Sequence, residues 1–307
     1  MRPVIAALLV SLSAAACTTA GEPAPATPRP ASALPSIQSK TAGLEPMEGF
    51  LPLYWDEAEG KLWLEVPETG VEFLYVHSLA AGIGSNDIGL DRNQLGRTRV
   101  VVFQRAGRKL FLGEPNYRYR AVTDNPAERR AVADAFARSI LWGFTIEAET
   151  DGRVLVDATD FVVRDVHGVA DRLEATGQGS YRLDESRSAV HAANTRAFPE
   201  NTEVEVVLTF EGEPAGRHIA SVTPTPEAVT VRQRHSFVAA PPSGYEPRAL
   251  DPRAGFFGVT WTDYAAPLGQ PMTRRWIARH RLEKQDPSAE VSDPVEPIIY
   301  YLDPGVP

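Results

Sequence analysis

The chain has 307 residues and a mass of 33.5 kDa, with 43% hydrophobic and 23% charged residues. These fractions are ordinary for a globular protein and exclude a wholly disordered chain. There are 31 lysines and arginines against 40 aspartates and glutamates, a net charge of −9. Nucleic-acid binders usually carry a basic surplus, so we expect no nucleic-acid partner. The single cysteine excludes an intrachain disulfide, a four-thiolate zinc site and a Cys-x-x-Cys redox motif.

Residues 1–16 have the pattern of a lipoprotein-type signal peptide. Arg2 supplies a positive charge, and residues 4–16 form an apolar run that is short for a membrane span. Small residues then lead to Cys17, and this arrangement resembles the lipobox of bacterial lipoproteins, although Ala14 stands where leucine is more usual. The resemblance implies that Cys17 is diacylated and becomes the first mature residue. The alternative is an ordinary cleaved signal followed by an incidental cysteine.

Residues 17–37 are predicted to form a lipid-anchored linker rich in proline and alanine. The five prolines within residues 21–36 cannot pack a core and favour an extended backbone. We expect this segment to hold the folded part away from the membrane; a proline-rich ligand for a partner is the alternative. Thr18 is not the aspartate that marks inner-membrane retention of lipoproteins, which favours the outer membrane.

Residues 38–295 are predicted to form one β-rich module. Alternation of apolar and polar residues predicts strands, and the short turns between them predict hairpins. The three predicted hairpins pair residues 50–55 with 61–66, 99–104 with 109–112, and 144–149 with 154–157. Further strands are predicted at residues 203–210, 219–222 and 229–234. Asp151-Gly152 is a strong turn signal, because both central residues of such a turn must adopt positive φ.

One clear helix is predicted over about residues 126–142, with Asn125 as its cap and Pro126 in its first turn. The apolar stripe of this helix comprises Ala131, Val132, Ala135, Phe136 and Ile140. A second short helical piece is predicted at residues 160–165, and irregular packed loops at residues 239–271. Strands outnumber helices and do not alternate regularly with them. The predicted fold class is therefore α+β, a β-rich antiparallel module.

No pattern of catalytic residues stands out. The six histidines are at least 17 residues apart, so no HExxH zinc helix is present. His280 and Glu283 could chelate a metal on a helix, but the surrounding positive charges favour a solvated or salt-bridged segment. Ser85 lies in a glycine-rich loop that lacks the G-x-S-x-G pattern, and a serine hydrolase is the weaker interpretation. The five tryptophans fit a core better than a carbohydrate platform. The sequence thus predicts no catalytic, cofactor-binding or metal-binding residue, and only Cys17 as a lipidation site.

Seven separated blocks resemble, in the same order, the N-terminal region of a family of bacterial zinc-dependent metallopeptidases, a region of adjoining domains of unknown function. The blocks are residues 79–96, 127–144, 155–170, 197–210, 230–237, 245–257 and 279–287. In that family a peptidase domain with an HExxH zinc motif follows. The resemblance therefore implies that zinc and the catalytic residues belong to a downstream domain. Residues 296–307 resemble the first strand of that domain, and we expect the chain to be cut short there.

The resemblance predicts a non-catalytic N-terminal part, scaffold or prodomain-like, of a bacterial envelope zinc metallopeptidase. We expect no peptidase activity from this chain alone and no cofactor within it. The implied partners are the membrane through the lipid anchor, the downstream catalytic domain, and a peptide or protein substrate. The implied location is the cell envelope, as an outer-membrane lipoprotein facing the periplasm or the exterior. The alternative is a complete envelope lipoprotein that binds a peptide or partner, for example by strand addition at an open sheet edge.

Overall fold

The computed structural model describes residues 34–302. The predicted signal peptide, the predicted lipidation site Cys17 and the predicted linker up to residue 33 lie outside the described residues. Within the described part, sixteen strands and five α-helices form. No helix in that part is long and apolar enough to cross a membrane.

The strands are β1 (Glu45–Met47), β2 (Leu53–Asp56), β3 (Lys61–Val66), β4 (Glu72–Ala81), β5 (Arg99–Ala106), β6 (Lys109–Glu114), β7 (Tyr119–Arg120), β8 (Ser139–Thr150), β9 (Arg153–Asp157), β10 (Gly179–Leu183), β11 (Ala189–Val190), β12 (Arg196–Ala197), β13 (Asn201–Pro214), β14 (Ala228–Ala239), β15 (Gly258–Asp263) and β16 (Thr273–Ile277). The helices are α1 (Ile37–Lys40), α2 (Pro126–Ala135), α3 (Thr159–Val162), α4 (Val169–Ala175) and α5 (Arg217–Val222).

Thirteen of these strands form one antiparallel sheet, and the other three form a small second sheet. The order along the main sheet is β1-β2-β3-β9-β8-β6-β5-β4-β14-β13-β10, and β11 and β12 pair with further stretches of β13. The second sheet has the order β16-β15-β7, in which β15 and β7 run parallel. The predicted fold class, a β-rich antiparallel α+β module, is confirmed.

The three predicted hairpins are confirmed as the pairs β2–β3, β5–β6 and β8–β9. In the third hairpin, Asp151 has φ of 50° and Gly152 has φ of 82°, as the two-residue turn requires. The strands predicted near residues 203–210 and 229–234 form as parts of β13 and β14, which pair from Asn201 opposite Val238 to Glu211 opposite Ala228. Local turn chemistry and alternation were enough to place these elements.

A close contact joins the two ends of the main sheet. The backbone N–H of Phe50, just before β2, donates to the carbonyl of Phe198, just after β12, at 2.7 Å. The N–H of Leu51 donates to Thr202 Oγ1 at 3.0 Å, and that hydroxyl donates back to the Leu51 carbonyl at 2.9 Å. A Cβ at Gly49 would lie 2.6 Å from the Phe198 nitrogen, so glycine permits this approach. The sheet therefore curves into a nearly closed barrel.

The hydrophobic core fills the inside of this curved sheet. In β4, buried residues alternate with half-buried ones from Phe73 to Leu79, because successive side chains of a strand point to opposite faces. Phe161 on α3 is fully buried in the same core, with ring centroids 5.4 Å from Phe144 and 6.2 Å from Phe237. Helix α3 thus supplies apolar volume that the strands alone do not provide.

The helix predicted over about residues 126–142 forms, but it is shorter than predicted. Helix α2 ends at Ala135, and residues 139–150 form β8, which pairs with β6 and β9. No residue of α2 is buried, so its apolar stripe does not face the core. Ile140 was expected on the helix but lies in β8, because pairing with two neighbouring strands outweighs local helical periodicity.

One other prediction needs correction and two are refined. Residues 219–222 were predicted to be a strand but belong to α5, where the N–H of Ile219 donates to Gln178 Oε1 at 3.1 Å and Ile219 is buried. Irregular packed loops were predicted over long stretches of residues 239–271, and these residues also include β15. The helical piece predicted at residues 160–165 forms slightly earlier, as α3. Short apolar runs do not distinguish strand from helix, because both bury them.

Residues 240–302 place their apolar side chains differently from the rest of the described chain. Of the buried hydrophobic residues in the described part, this segment supplies only Trp261. By contrast, 15 of the 21 exposed large hydrophobic residues there lie between Tyr245 and Leu302. Residues 296–302, expected to begin a further strand, pair with no strand of the described part and have exposed side chains. We refer to these exposed large hydrophobic side chains, from Tyr245 to Leu302, as the apolar surface of residues 240–302.

Candidate functional site

A groove of about 390 Å³ lies between α2, β7 and the β5–β6 hairpin, and we refer to it as the α2 groove. The start of α2 is fixed by Asn125, whose side chain accepts the N–H of Ala127 at 3.0 Å, and by Pro126 in the first turn. Val132 and Phe136 are four residues apart, so they lie on one side of the helix, and both line the groove. The apolar side of α2 thus faces a cavity and not the core.

Aromatic rings form the apolar wall of the α2 groove. Tyr119 of β7 stacks on Phe136 with centroids 3.9 Å apart and ring planes inclined by 12°. Tyr264 packs against Phe136 at 5.1 Å and so supports the stack from the second sheet. A further lining residue, Tyr117, donates a hydrogen bond to the carboxylate of Glu72, and burial together with this carboxylate raises the pKa of Tyr117 to about 12. The wall is therefore held by packing on several elements.

Three arginines line the α2 groove, and none has a carboxylate within 4.0 Å among the described residues. Arg120 Nε donates to the Tyr117 carbonyl at 2.8 Å, and Arg138 Nη1 donates to Gln104 Oε1 at 2.6 Å. Arg129 Nη1 donates to a backbone carbonyl in the turn before α2. These guanidinium groups hold their positions through neutral acceptors and form no ion pair among the described residues, although the nearby carboxylate of Glu72 attracts Arg120 electrostatically.

Arg120 is the most buried of these cations. Its guanidinium carbon lies 4.9 Å from the ring centroid of Tyr117 and 5.1 Å from that of Trp261, a cation–π arrangement. Burial lowers the pKa of Arg120, yet an arginine stays charged near neutral pH. The one carboxylate that lines the groove is Glu114, which already binds Arg97 Nη2 at 2.6 Å and Arg99 Nε at 3.3 Å. The groove is thus positively charged in a chain whose net charge is −9.

Three histidines that are far apart in sequence meet in the interior, and we call His77, His167 and His235 the histidine cluster. His77 and His235 face each other across the β4–β14 pair, and His77 Nδ1 lies 3.2 Å from His167 Nδ1. Gln94 Oε1 lies 3.2 Å from His167 Nε2 and accepts a hydrogen bond from its N–H. Nδ1 of His167 is therefore the acceptor of the hydrogen bond from His77, and both rings are neutral.

His235 is held by hydrogen bonds on both ring nitrogens. Its Nε2–H donates to the carbonyl of Val162 at 2.9 Å, so its Nδ1 accepts from the hydroxyl of Tyr75 at 2.8 Å. Gln233 beside it is fully buried, and its Oε1 accepts the backbone N–H groups of Val166 and of the next residue, each at 3.1 Å. This network ties the loop after α3 to β14.

Burial lowers the pKa of all three rings of the histidine cluster. The pKa of His77 falls to about 4, with a further contribution from the nearby His167, and that of His235 falls to about 3. Burial also lowers the pKa of His167, against the opposing charge of Asp165. The loop packs so closely that a Cβ at Gly96 would lie 2.0 Å from His77 Cε1. We assign the cluster a structural role, because buried polar groups joined by hydrogen bonds specify a packing arrangement.

The structure places the residues that the sequence singled out in separate surroundings. The Ser85 carbonyl accepts the N–H of Ile88 and that of the next residue, each at 3.1 Å, as in the predicted loop. His280 is exposed, and Glu283 pairs with Arg281 Nε at 2.7 Å, which confirms the salt-bridged interpretation. Trp63 and Trp261 are buried and the other three tryptophans half-buried, which favours the core interpretation. Across residues 34–302, no group of three or more histidines, cysteines, aspartates or glutamates is arranged to hold a metal ion.

Sequence reasoning missed both the α2 groove and the histidine cluster. The sequence predicts the apolar stripe of this helix, but nothing local shows that the stripe faces a cavity. The histidines lie far apart along the chain, and pairing of β4 with β14 brings His77 beside His235, while the loop after α3 brings in His167. The signal that could have located the groove is the concentration of arginines and aromatic residues between residues 117 and 138.

The fold and the groove define a β-rich domain with a positively charged apolar groove. Residues 93–285 match the model of the family described as "Domain of unknown function (DUF5117)", which covers 193 of the 307 residues, and the chain belongs to this family. No curated protein and no solved structure matches the chain. The matched residues include all of α2 and every other groove-lining residue described above.

Proposed function

We propose that this chain is the non-catalytic N-terminal module of a bacterial envelope zinc metallopeptidase and acts as a scaffold for a downstream catalytic domain. The ordered sequence blocks that resemble this family support the proposal; the family match itself carries no peptidase assignment. In this proposal the module is anchored in the outer membrane through lipidated Cys17, and the zinc is bound by the downstream domain.

The observation that carries the proposal is the apolar surface of residues 240–302. Phe257 is 89% exposed and Tyr301 is 90% exposed, and other aliphatic and aromatic side chains of this segment are exposed as well. So many exposed apolar residues within one segment support a role for this segment as a surface that another protein or domain covers. The same segment includes residues 296–302, part of the stretch that resembles the first strand of a peptidase domain. The exposed apolar residues therefore lie where the chain would lead into its expected partner.

Hydrogen exchange tests the proposal directly. We compare the native protein, purified from the membrane fraction of its source cell, with the isolated 307-residue chain. A catalytic domain that covers the apolar surface is expected to slow amide exchange across residues 256–302 in the native protein, because covered backbone opens less often. Residues 61–66, in the core strand β3, serve as the control and are expected to exchange alike in both. Equal exchange of residues 256–302 in the two samples would contradict the proposal.

A second function is favoured by a separate observation, the α2 groove. In this alternative the chain is a complete envelope lipoprotein that binds a peptide or a protein partner. The α2 groove is lined by aromatic and arginine side chains, and residues of these types often contribute most of the binding energy at protein interfaces. Stoichiometric zinc with chelator-sensitive peptide cleavage by the purified chain would overturn both proposals.

A further inference from the structure

The geometry points to the α2 groove as a binding site for the free carboxyl terminus of a peptide whose last side chain is aromatic or aliphatic. This inference goes beyond the scaffold proposal and does not rest on it. Binding at the groove can be measured whether or not the chain belongs to a peptidase. The groove offers separate places for the two chemical features of such a terminus, a carboxylate and an apolar side chain.

The charges of the groove select the carboxylate. Arg120, Arg129 and Arg138 all line it and hydrogen-bond to neutral acceptors, while Glu114 is already bound by two arginines. A guanidinium group presents parallel N–H donors that match the two oxygens of a carboxylate. An anion entering the groove therefore gains ion pairs without breaking existing ones between arginine and acid.

The walls of the groove select the apolar side chain. The stacked rings of Tyr119 and Phe136, together with Val132 on α2 and Val102 on β5, form its apolar surface. A volume of about 390 Å³ lies at the lower end of the range of about 300–1,000 Å³ that is typical of small-ligand sites. The groove is therefore suited to the end of a chain and not to a folded segment.

The charge of the whole chain limits which anions are suitable. A net charge of −9 repels polyanions such as nucleic acids at long range, whereas a single carboxylate is affected far less. A peptide terminus also carries its apolar group beside its charge, as the groove requires. Peptide hydrolysis creates new carboxyl termini, so the site would also suit a peptidase module if the scaffold proposal holds.

Calorimetric titration with a matched pair of peptides tests the inference without any variant. The probe is acetyl-Ala-Ala-Phe with a free carboxylate, and its partner is the same peptide with a C-terminal amide. We expect the acid to bind at least tenfold more tightly than the amide, because only the carboxylate can form charge-assisted hydrogen bonds with the guanidinium groups. Equal affinities for the acid and the amide, or no binding of the acid up to millimolar concentration, would overturn the inference.

Arginine variants locate the binding site. The double variant Arg129→Gln/Arg138→Gln changes exposed side chains, and we expect it to weaken binding of the acid by at least tenfold. Arg130→Gln is the matched control, because Arg130 lies on the same helix but does not line the groove. An equal loss in the control would place binding elsewhere and refute the inference. Decanoate carries the same carboxylate on an alkyl chain, and tighter binding of decanoate than of the peptide would overturn the assignment to peptides.

Discussion

The histidine cluster links stability to pH through individual side chains. The pKa of His77 is lowered to about 4 and that of His235 to about 3, against about 6.5 for a histidine in an unfolded chain. Between the lowered pKa values and pH 6.5, these histidines are protonated in the unfolded chain but neutral in the folded chain. The contribution of the cluster to stability is therefore fully present above about pH 6.5 and is lost as the pH falls toward 4.

The variant His77→Gln tests this linkage. It removes one of the depressed pKa values, so the decline in the free energy of unfolding below pH 6.5 should become shallower by up to about 1.4 kcal/mol per pH unit. Urea unfolding between pH 7.5 and 4.5 measures the slope. His280→Gln is the control, because His280 is exposed and the slope should stay as in the wild type. If His77→Gln and the wild type lose stability with the same slope, the assignment of a buried neutral His77 is wrong.

At the scale of single elements, the hairpins could be predicted and the ends of helices could not. Asp151-Gly152 specifies its turn locally through backbone conformation, and the flanking strands follow by alternation. The end of α2 depends on non-local pairing, since Ile140 is drawn into β8 beside β6 and β9. The α2 groove exists only because these pairings leave one side of α2 uncovered, which no local pattern records.

Closure of the main sheet depends on a contact that also has no local signature. A Cβ at Gly49 would lie 2.6 Å from the backbone of residues 197–198, which cannot move as a flexible side chain can. We therefore expect Gly49→Ala to lower the free energy of unfolding by about 1–3 kcal/mol. Gly255→Ala is the matched control, because nothing lies within 4 Å of its added Cβ and its φ is not positive. Equal stabilities of the two variants in denaturant unfolding would show that the sheet ends are not in close contact.

At the scale of the whole molecule, apolar side chains divide into two populations. Those before residue 240 form the barrel core, whereas those from Tyr245 to Leu302 are largely exposed. The composition of the chain is that of a globular protein, but it does not show which apolar residues lie outside the core. The scaffold proposal explains this division, since a covering domain would bury the second population. The positively charged α2 groove lies in the matched family region, and we propose it as a separate binding surface.

The most direct test of the scaffold proposal is the intact mass of the native protein, taken from the membrane fraction of its source cell. The proposal predicts one lipidated species much heavier than 33.5 kDa, whose additional sequence contains an HExxH motif. A species with the mass of residues 17–307 plus a lipid anchor would contradict it. In that case the chain would be an envelope lipoprotein in its own right, and the peptide titration at the α2 groove would become the central test of its function.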